Sequence, residues 1–67
     1  MTVAERFAKN LKLMLKEKGI NNVTFAEMVG VTDSCVSKWI YAQREPTLSN
    51  LYKITKVLDC TFDELVE

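Results

Sequence analysis

Apolar residues along this chain recur at three- and four-residue steps, the spacing of one face of an α-helix. Val3, Phe7, Leu11, Met14 and Leu15, extended by the stem of Lys18, make the first such face. Thr2 with Glu5 is a capping box that starts this helix at about Val3, and Gly19 ends it. Asn21 is an N-cap for a short second helix ending near Val29, with Phe25, Ala26 and Val29 inward. Thr32 caps a third, ending near Tyr41, with Val36, Trp39 and Ile40 inward. Residues 41–46 form a loop, since Pro46 keeps Glu45 out of helical geometry. Thr47 caps a fourth helix whose Leu48, Leu51, Ile54 and Leu58 share a face. Thr61 with Glu64 is a second capping box, opening a final turn or two with Phe62 and Leu65 inward. One proline and two glycines leave little room for a sheet with tight turns. The expectation is an all-α, compact five-helix bundle, a single domain over residues 1–67 that is complete where the chain stops.

The stretch from Asn22 to Tyr41 is the most informative. Two short helices hinged at Gly30 need a left-handed backbone between them, which glycine adopts without a Cβ clash. Ala26, one turn before, is small enough for a second helix to cross closely. That is the layout of a helix-turn-helix at the second and third helices. Such a unit presents the first turn of its second helix to the major groove of DNA.

Composition sets the outer limits. Apolar residues make up 48% of the chain, an ordinary globular share that argues against disorder. No apolar run approaches the roughly 20 residues of a membrane span, and no secretory signal is visible. Histidine is absent, which removes the commonest general base and metal ligand. Cys35 and Cys60 are too few, and too far from CxxC spacing, for a zinc site or a disulfide framework. They read as two reduced thiols of a cytoplasmic protein. No cofactor, metal or small-molecule ligand is expected.

Net charge is zero, which weighs against nucleic-acid binding until its distribution is considered. Residues 1–20 carry Arg6, Lys9, Lys12, Lys16 and Lys18 against Glu5 and Glu17, a balance of +3. Residues 46–67 carry Lys53 and Lys56 against Asp59, Asp63, Glu64 and Glu67, a balance of −2. A basic end can meet phosphate while an acidic end faces away. Solvated helix faces without a partner fit the first helix equally well.

From about Leu11 to Leu65 the chain resembles, without gaps, the phage Cro and repressor-type helix-turn-helix family, also called XRE-like. The resemblance is carried by Gly30-Val31-Thr32 at the turn, Val36-Ser37-Lys38-Trp39 in the third helix and Arg44-Glu45-Pro46 in the loop. The run Leu58-Asp59-Cys60-Thr61-Phe62-Asp63-Glu64-Leu65 completes it. The pieces are weak singly and strong in this order. The resemblance implies a lambda-repressor-like DNA-binding domain, usually dimeric on pseudo-palindromic DNA, acting as a transcriptional regulator encoded by a bacterium or phage. Two departures are informative. Leu15 stands where many members carry a basic residue, and Ile40 where they carry glutamate. Aliphatic residues at both positions are what a concerted replacement of a buried ion pair produces, and such replacements are often neutral or stabilising. Leu15 and Ile40 are therefore expected to meet in the core.

On the third helix the outward positions are Asp33, Ser34, Ser37 and Lys38, the candidates for reading bases. Lys38 can donate to guanine O6 and N7, Asp33 can accept from cytosine N4, and the serines adapt to either. Asp33 equally suits a helix N-terminus by charge alone, and Lys38 has a phosphate contact or bulk solvent as its lesser alternative. Phosphate contacts are assigned to Asn22 and the free amides of the second helix, to Thr32, and to Tyr41, Gln43 and Arg44 in the loop. Family members often have Asn-Gly where this chain has Tyr41-Ala42, so Tyr41 has packing as its alternative role. Trp39 belongs to the core rather than to a stacked base.

The function that follows is a sequence-specific regulator, a repressor, of double-stranded DNA. The alternative is a protein-interaction module or antitoxin subunit that retains the fold. Against an enzyme, the chain offers no histidine, no phosphate-cradling glycine loop and no paired carboxylates with a plausible pocket. One recognition helix reads only about four base pairs, so two copies on half-sites about one helical turn apart are expected. Phe62, Leu65 and Val66 are the candidate homodimer contacts, rimmed by Asp63, Glu64 and Glu67.

Overall fold

A computed structural model describes all residues, 1–67. It contains α1 (Val3–Lys18), α2 (Asn22–Val29), α3 (Asp33–Ile40), α4 (Leu48–Leu58) and α5 (Phe62–Val66), with no strand. Each helix starts at the predicted cap. The side-chain oxygens of Thr2, Asn21, Thr32, Thr47 and Thr61 each accept the amide three residues on, at 2.8–3.2 Å. Both capping boxes close, with Glu5 accepting from the Thr2 amide at 2.8 Å and Glu64 from the Thr61 amide at 2.9 Å. The first of these holds the Glu5 carboxyl below its usual range, because the ionised form is the better acceptor for the Thr2 amide.

The helices stop by a common device. Gly19, Gly30, Ala42 and Asp59 all have positive φ, between 51° and 86°. After α3 the Ala42 amide bonds the Trp39 carbonyl at 3.1 Å and the Gln43 amide bonds the Lys38 carbonyl at 2.8 Å. That pair of bonds is a Schellman motif, here with an alanine in the left-handed position that glycine normally takes. Gly30 has open space where a Cβ would stand, so glycine is required there by its φ of 86° and not by crowding.

The core draws on every helix: Phe7, Leu11 and Leu15 from α1, Phe25, Ala26 and Val29 from α2, Val36, Trp39 and Ile40 from α3, Leu51, Ile54 and Leu58 from α4, and Leu65 from α5. Helix α1 packs on α5 and α3, and α2 on α3 and α4. The Phe7 and Trp39 rings meet edge to face at 6.3 Å, fastening α3 to α1. Leu15 and Ile40, one from each of these helices, are both buried in that shared core. Near the chain ends the Asn10 side-chain amide donates to the Leu65 carbonyl at 2.9 Å, tying α1 to α5.

Four apolar-face positions differ from expectation. Val3, Leu48 and Phe62 are exposed, Leu48 at 82%, and Lys18 lies in solvent. Each of the three hydrophobics opens its helix, where the spacing has drifted furthest. A three-residue step falls about 60° short of a full turn, so Leu48, two steps before Ile54, has swung about 120° from it.

Candidate nucleic-acid interface

The turn between α2 and α3 is built from backbone. The Gly30 and Val31 amides both bond the Ala26 carbonyl, at 2.8 and 2.9 Å. The chain then leaves Thr32 extended, and its Oγ caps the Cys35 amide at 3.1 Å. That bond uses Thr32 as an acceptor, so its hydroxyl hydrogen remains to be donated to an anion. Helix α3 is held from below by Val36, Trp39 and Ile40, each under one-tenth exposed. Of its other positions, Asp33, Ser34 and Lys38 are exposed, and Ser37 is half-buried. Three of the four proposed reading positions are therefore open to solvent, with Ser37 partly withdrawn.

The proposed phosphate contacts are likewise at the surface. Asn22 is exposed at the first position of α2, where helix geometry leaves the leading amides without intrahelical partners. Tyr41, Gln43 and Arg44 are all exposed in the loop after α3. Tyr41 caps α3 through its amide, bonded to the Ser37 carbonyl at 3.0 Å, so its position is fixed while its ring projects. Lys12 of α1 places its Nζ 5.9 Å from the centre of that ring. Sequence reasoning assigned no role to Lys12. The basic character of the first helix was visible, but the loop it meets is remote in the chain.

The candidate dimer contacts divide. Leu65 is wholly buried in the core, which corrects its assignment: a side chain with no exposed surface offers nothing to a second copy. Phe62 is half exposed and Val66 half-buried. Leu48 and Tyr52, which sequence reasoning did not place here, line a groove with Phe62, Leu51 and Thr55 of ≈ 280 Å³. The misplacement of Leu48 in the core concealed this patch. No group of three His, Cys, Asp or Glu side chains is arranged to hold a metal ion, and no helix is long and apolar enough to cross a membrane.

Comparison with known proteins matches residues 11–65 to the helix-turn-helix family. An uncharacterized HTH-type transcriptional regulator, YqaE of Bacillus subtilis (strain 168), is 30% identical over 61 residues, covering 91% of this chain and 53% of the relative. The chain thus spans about half the length of that relative. The crystal structure of the restriction-modification controller protein C.AhdI from Aeromonas hydrophila superposes with a TM-score of 0.86 at 29% identity, covering 92% of this chain and 94% of that one. The P22 c2 repressor, solved in complex with a synthetic operator, gives 0.82 at 28% identity, covering 100% and 96%. With most of its length matched and its second and third helices arranged as described, the chain belongs to the helix-turn-helix family, in its phage Cro and repressor (XRE-like) branch.

Proposed function

We propose that the chain is a sequence-specific, DNA-binding transcriptional repressor that reads the major groove with α3. The observation that carries this is the division of α3. Val36, Trp39 and Ile40 anchor it in the core, and Asp33, Ser34 and Lys38 are left exposed. The likeness to a repressor solved on its operator supports the same reading. In this arrangement Lys38 and Ser34 meet base edges, while Asn22, Thr32, Gln43 and Arg44 meet phosphates. Selection of bound sequences from a random DNA pool tests it. A DNA binder returns a preferred sequence whose affinity falls steeply with salt. Lys38→Ala and Ser34→Ala then change the preferred sequence, and Arg44→Ala weakens all sequences alike. If Arg44→Ala relaxed the preference while Lys38→Ala left it intact, the placement of α3 would be wrong. A pool returning nothing at low salt favours a protein-interaction or antitoxin role, for which zero net charge and the exposed Asp33 speak.

The repressor binds a pseudo-palindromic operator as a homodimer. Its contacts are Phe62 and Val66, joined by Leu48 and Tyr52, whose apolar side chains are exposed together at the α4–α5 corner. Leu48→Asp leaves the melting temperature within about 2 °C, because the site is solvent-facing, and reduces cooperative binding to two half-sites. One copy bound per two-half-site DNA in the unaltered protein would rule the dimer out.

A further inference from the structure

Leu13 stands midway along α1, 48% exposed, and two surface depressions meet at it. At 3.6 residues per turn, Lys9 and Lys12 lie about 40° and 100° to one side of it, and Glu17 and Met14 about 40° and 100° to the other. On the first side a depression of ≈ 460 Å³ runs between α1 and the loop after α3, where the Tyr41 ring has Lys12 Nζ at 5.9 Å from its centre. On the second side a cleft of ≈ 410 Å³ runs between α1 and the α4–α5 turn, with Met14, Leu58 and Cys60 as its apolar part. The two flanks carry opposite charge. Lys9 and Lys12 against Glu5 leave +1 on the first, and Glu17, Asp59 and Glu64 against Lys18 leave −2 on the second. An exposed leucine alone needs no explanation. Set between two partly apolar depressions of opposite sign, it belongs to a surface that complements itself.

We propose that a second copy of this chain covers that face: two α1 helices lie side by side in the same direction, Leu13 against Leu13, about a two-fold axis along their length. Such an axis exchanges flanks, so the basic flank of each copy meets the acidic cleft of the other, twice over. Tyr41 and Lys12 then enter the cleft lined by the partner's Glu17 and the partner's Asp59. The antiparallel arrangement sets lysine flank on lysine flank and carboxylate flank on carboxylate flank, which like-charge repulsion disfavours. Zero net charge leaves no overall repulsion between copies. The contact uses none of the residues of the α4–α5 corner and does not depend on the DNA-binding reading. One helix and its flanks make a small interface, of the class below about 1,200 Å², so the pairing is weak and reversible.

The test is sedimentation equilibrium of the full chain carrying Leu48→Asp, which removes the α4–α5 corner as a source of association. The average mass should rise from one copy towards two, and no further, as concentration approaches about 1 mM, the range that populates a small interface. Raising salt from about 0.01 M to about 1 M shortens the screening length from about 30 Å to about 3 Å and should weaken pairing at least about tenfold. Two variants attack one flank each. Lys9→Glu with Lys12→Glu turns the basic flank negative, and Glu17→Lys with Asp59→Asn turns the acidic one positive, asparagine suiting the left-handed φ of 51° at that position. Each should weaken pairing at least about tenfold, because like charges are then opposed. An equimolar mixture of the two should pair again, since each supplies the sign that the other lacks. Leu13→Asp, which sets like charges across the axis, should abolish pairing, and Lys53→Glu, exposed on α4, should leave it unchanged. Melting temperatures, expected within about 3 °C at these exposed sites, exclude loss of fold as the cause. A single copy at every concentration, undiminished pairing of the Lys9→Glu, Lys12→Glu variant, a mixture no better than its components, or an equal loss in Lys53→Glu overturns the proposal. Each of these leaves the DNA-binding reading and the α4–α5 corner standing, because those are measured on DNA.

Discussion

Ala42 holds a backbone conformation that its side chain resists, and replacing it with glycine should stabilise the protein. Its φ is 57°, and it occupies the left-handed position of the Schellman motif that ends α3. For an L-residue this geometry costs about 1–2 kcal/mol, from the approach of Cβ to the following carbonyl. Two terms offset the relief. Glycine is freer in the unfolded chain, which costs about 0.4–1 kcal/mol. The half-buried methyl is also lost, about 0.4 kcal/mol at roughly half of the value for a fully buried carbon. At the middle of these ranges the net expectation for Ala42→Gly is a gain of about 0.4 kcal/mol, equivalent to about 2–3 °C in melting temperature for a domain of this size. The sign is the informative part, because the same exchange inside a helix costs about 0.5–1 kcal/mol. Ala42→Asn should gain less than glycine. Ala42→Val should lose about 1 kcal/mol or more, since a β-branched residue tolerates this region least. Thermal unfolding followed by circular dichroism, with urea titration for the free energies, measures the series. A lowered melting temperature in Ala42→Gly, or an order other than glycine, asparagine, alanine, valine, would refute the reasoning.

Ile40→Glu should destabilise by about 3–5 kcal/mol, because a carboxylate is buried without a partner, and adding Leu15→Arg should recover part of that loss. Purely additive losses in the double variant would show that the two positions do not meet. Asn10→Ala should cost about 1 kcal/mol by removing the bond to the Leu65 carbonyl, and hydrogen exchange should rise first in α5. Glu5 has its carboxyl depressed in the folded protein, so its contribution is present above the unfolded value and disappears as pH falls through the folded one. Glu5→Gln should therefore lower the melting temperature near neutrality and converge with the unaltered protein in acid. A constant difference at every pH would remove Glu5 from the acid response.

The helix boundaries were legible because their signals are local. Thr2–Glu5 and Thr61–Glu64 close within three residues, and Gly19 and Gly30 need only their own φ. The inward faces of α2 and α3 were legible too, since eight-residue helices give the apolar spacing little length over which to drift. Leu48, Val3 and Phe62 were misread for the opposite reason, each standing at the start of a helix whose buried stripe is centred further along. Leu65 was placed both inward and at an interface, and only three-dimensional packing decides between these. The exposure of Asp33, Ser34 and Lys38 followed from periodicity. The approach of Lys12 to Tyr41 did not, because it depends on the angle at which α1 crosses α3. Nor did the persistence of a left-handed turn at Ala42. The backbone bonds to Trp39 and Lys38 hold that turn even without the glycine that usually occupies it.

The division of α3 bears on how a protein of this kind changes over time. Three of its eight residues hold the helix in the core, and Asp33, Ser34 and Lys38 are exposed. Exposed substitutions of that sort usually alter stability by no more than about 0.5 kcal/mol. The surface that would discriminate one DNA sequence from another can therefore drift almost independently of the scaffold beneath it. A duplicated copy can acquire a new target by a few exchanges at these positions, with no compensating repair in the core. The same freedom makes the three positions the natural ones to randomise together in a library, because nearly every member should fold.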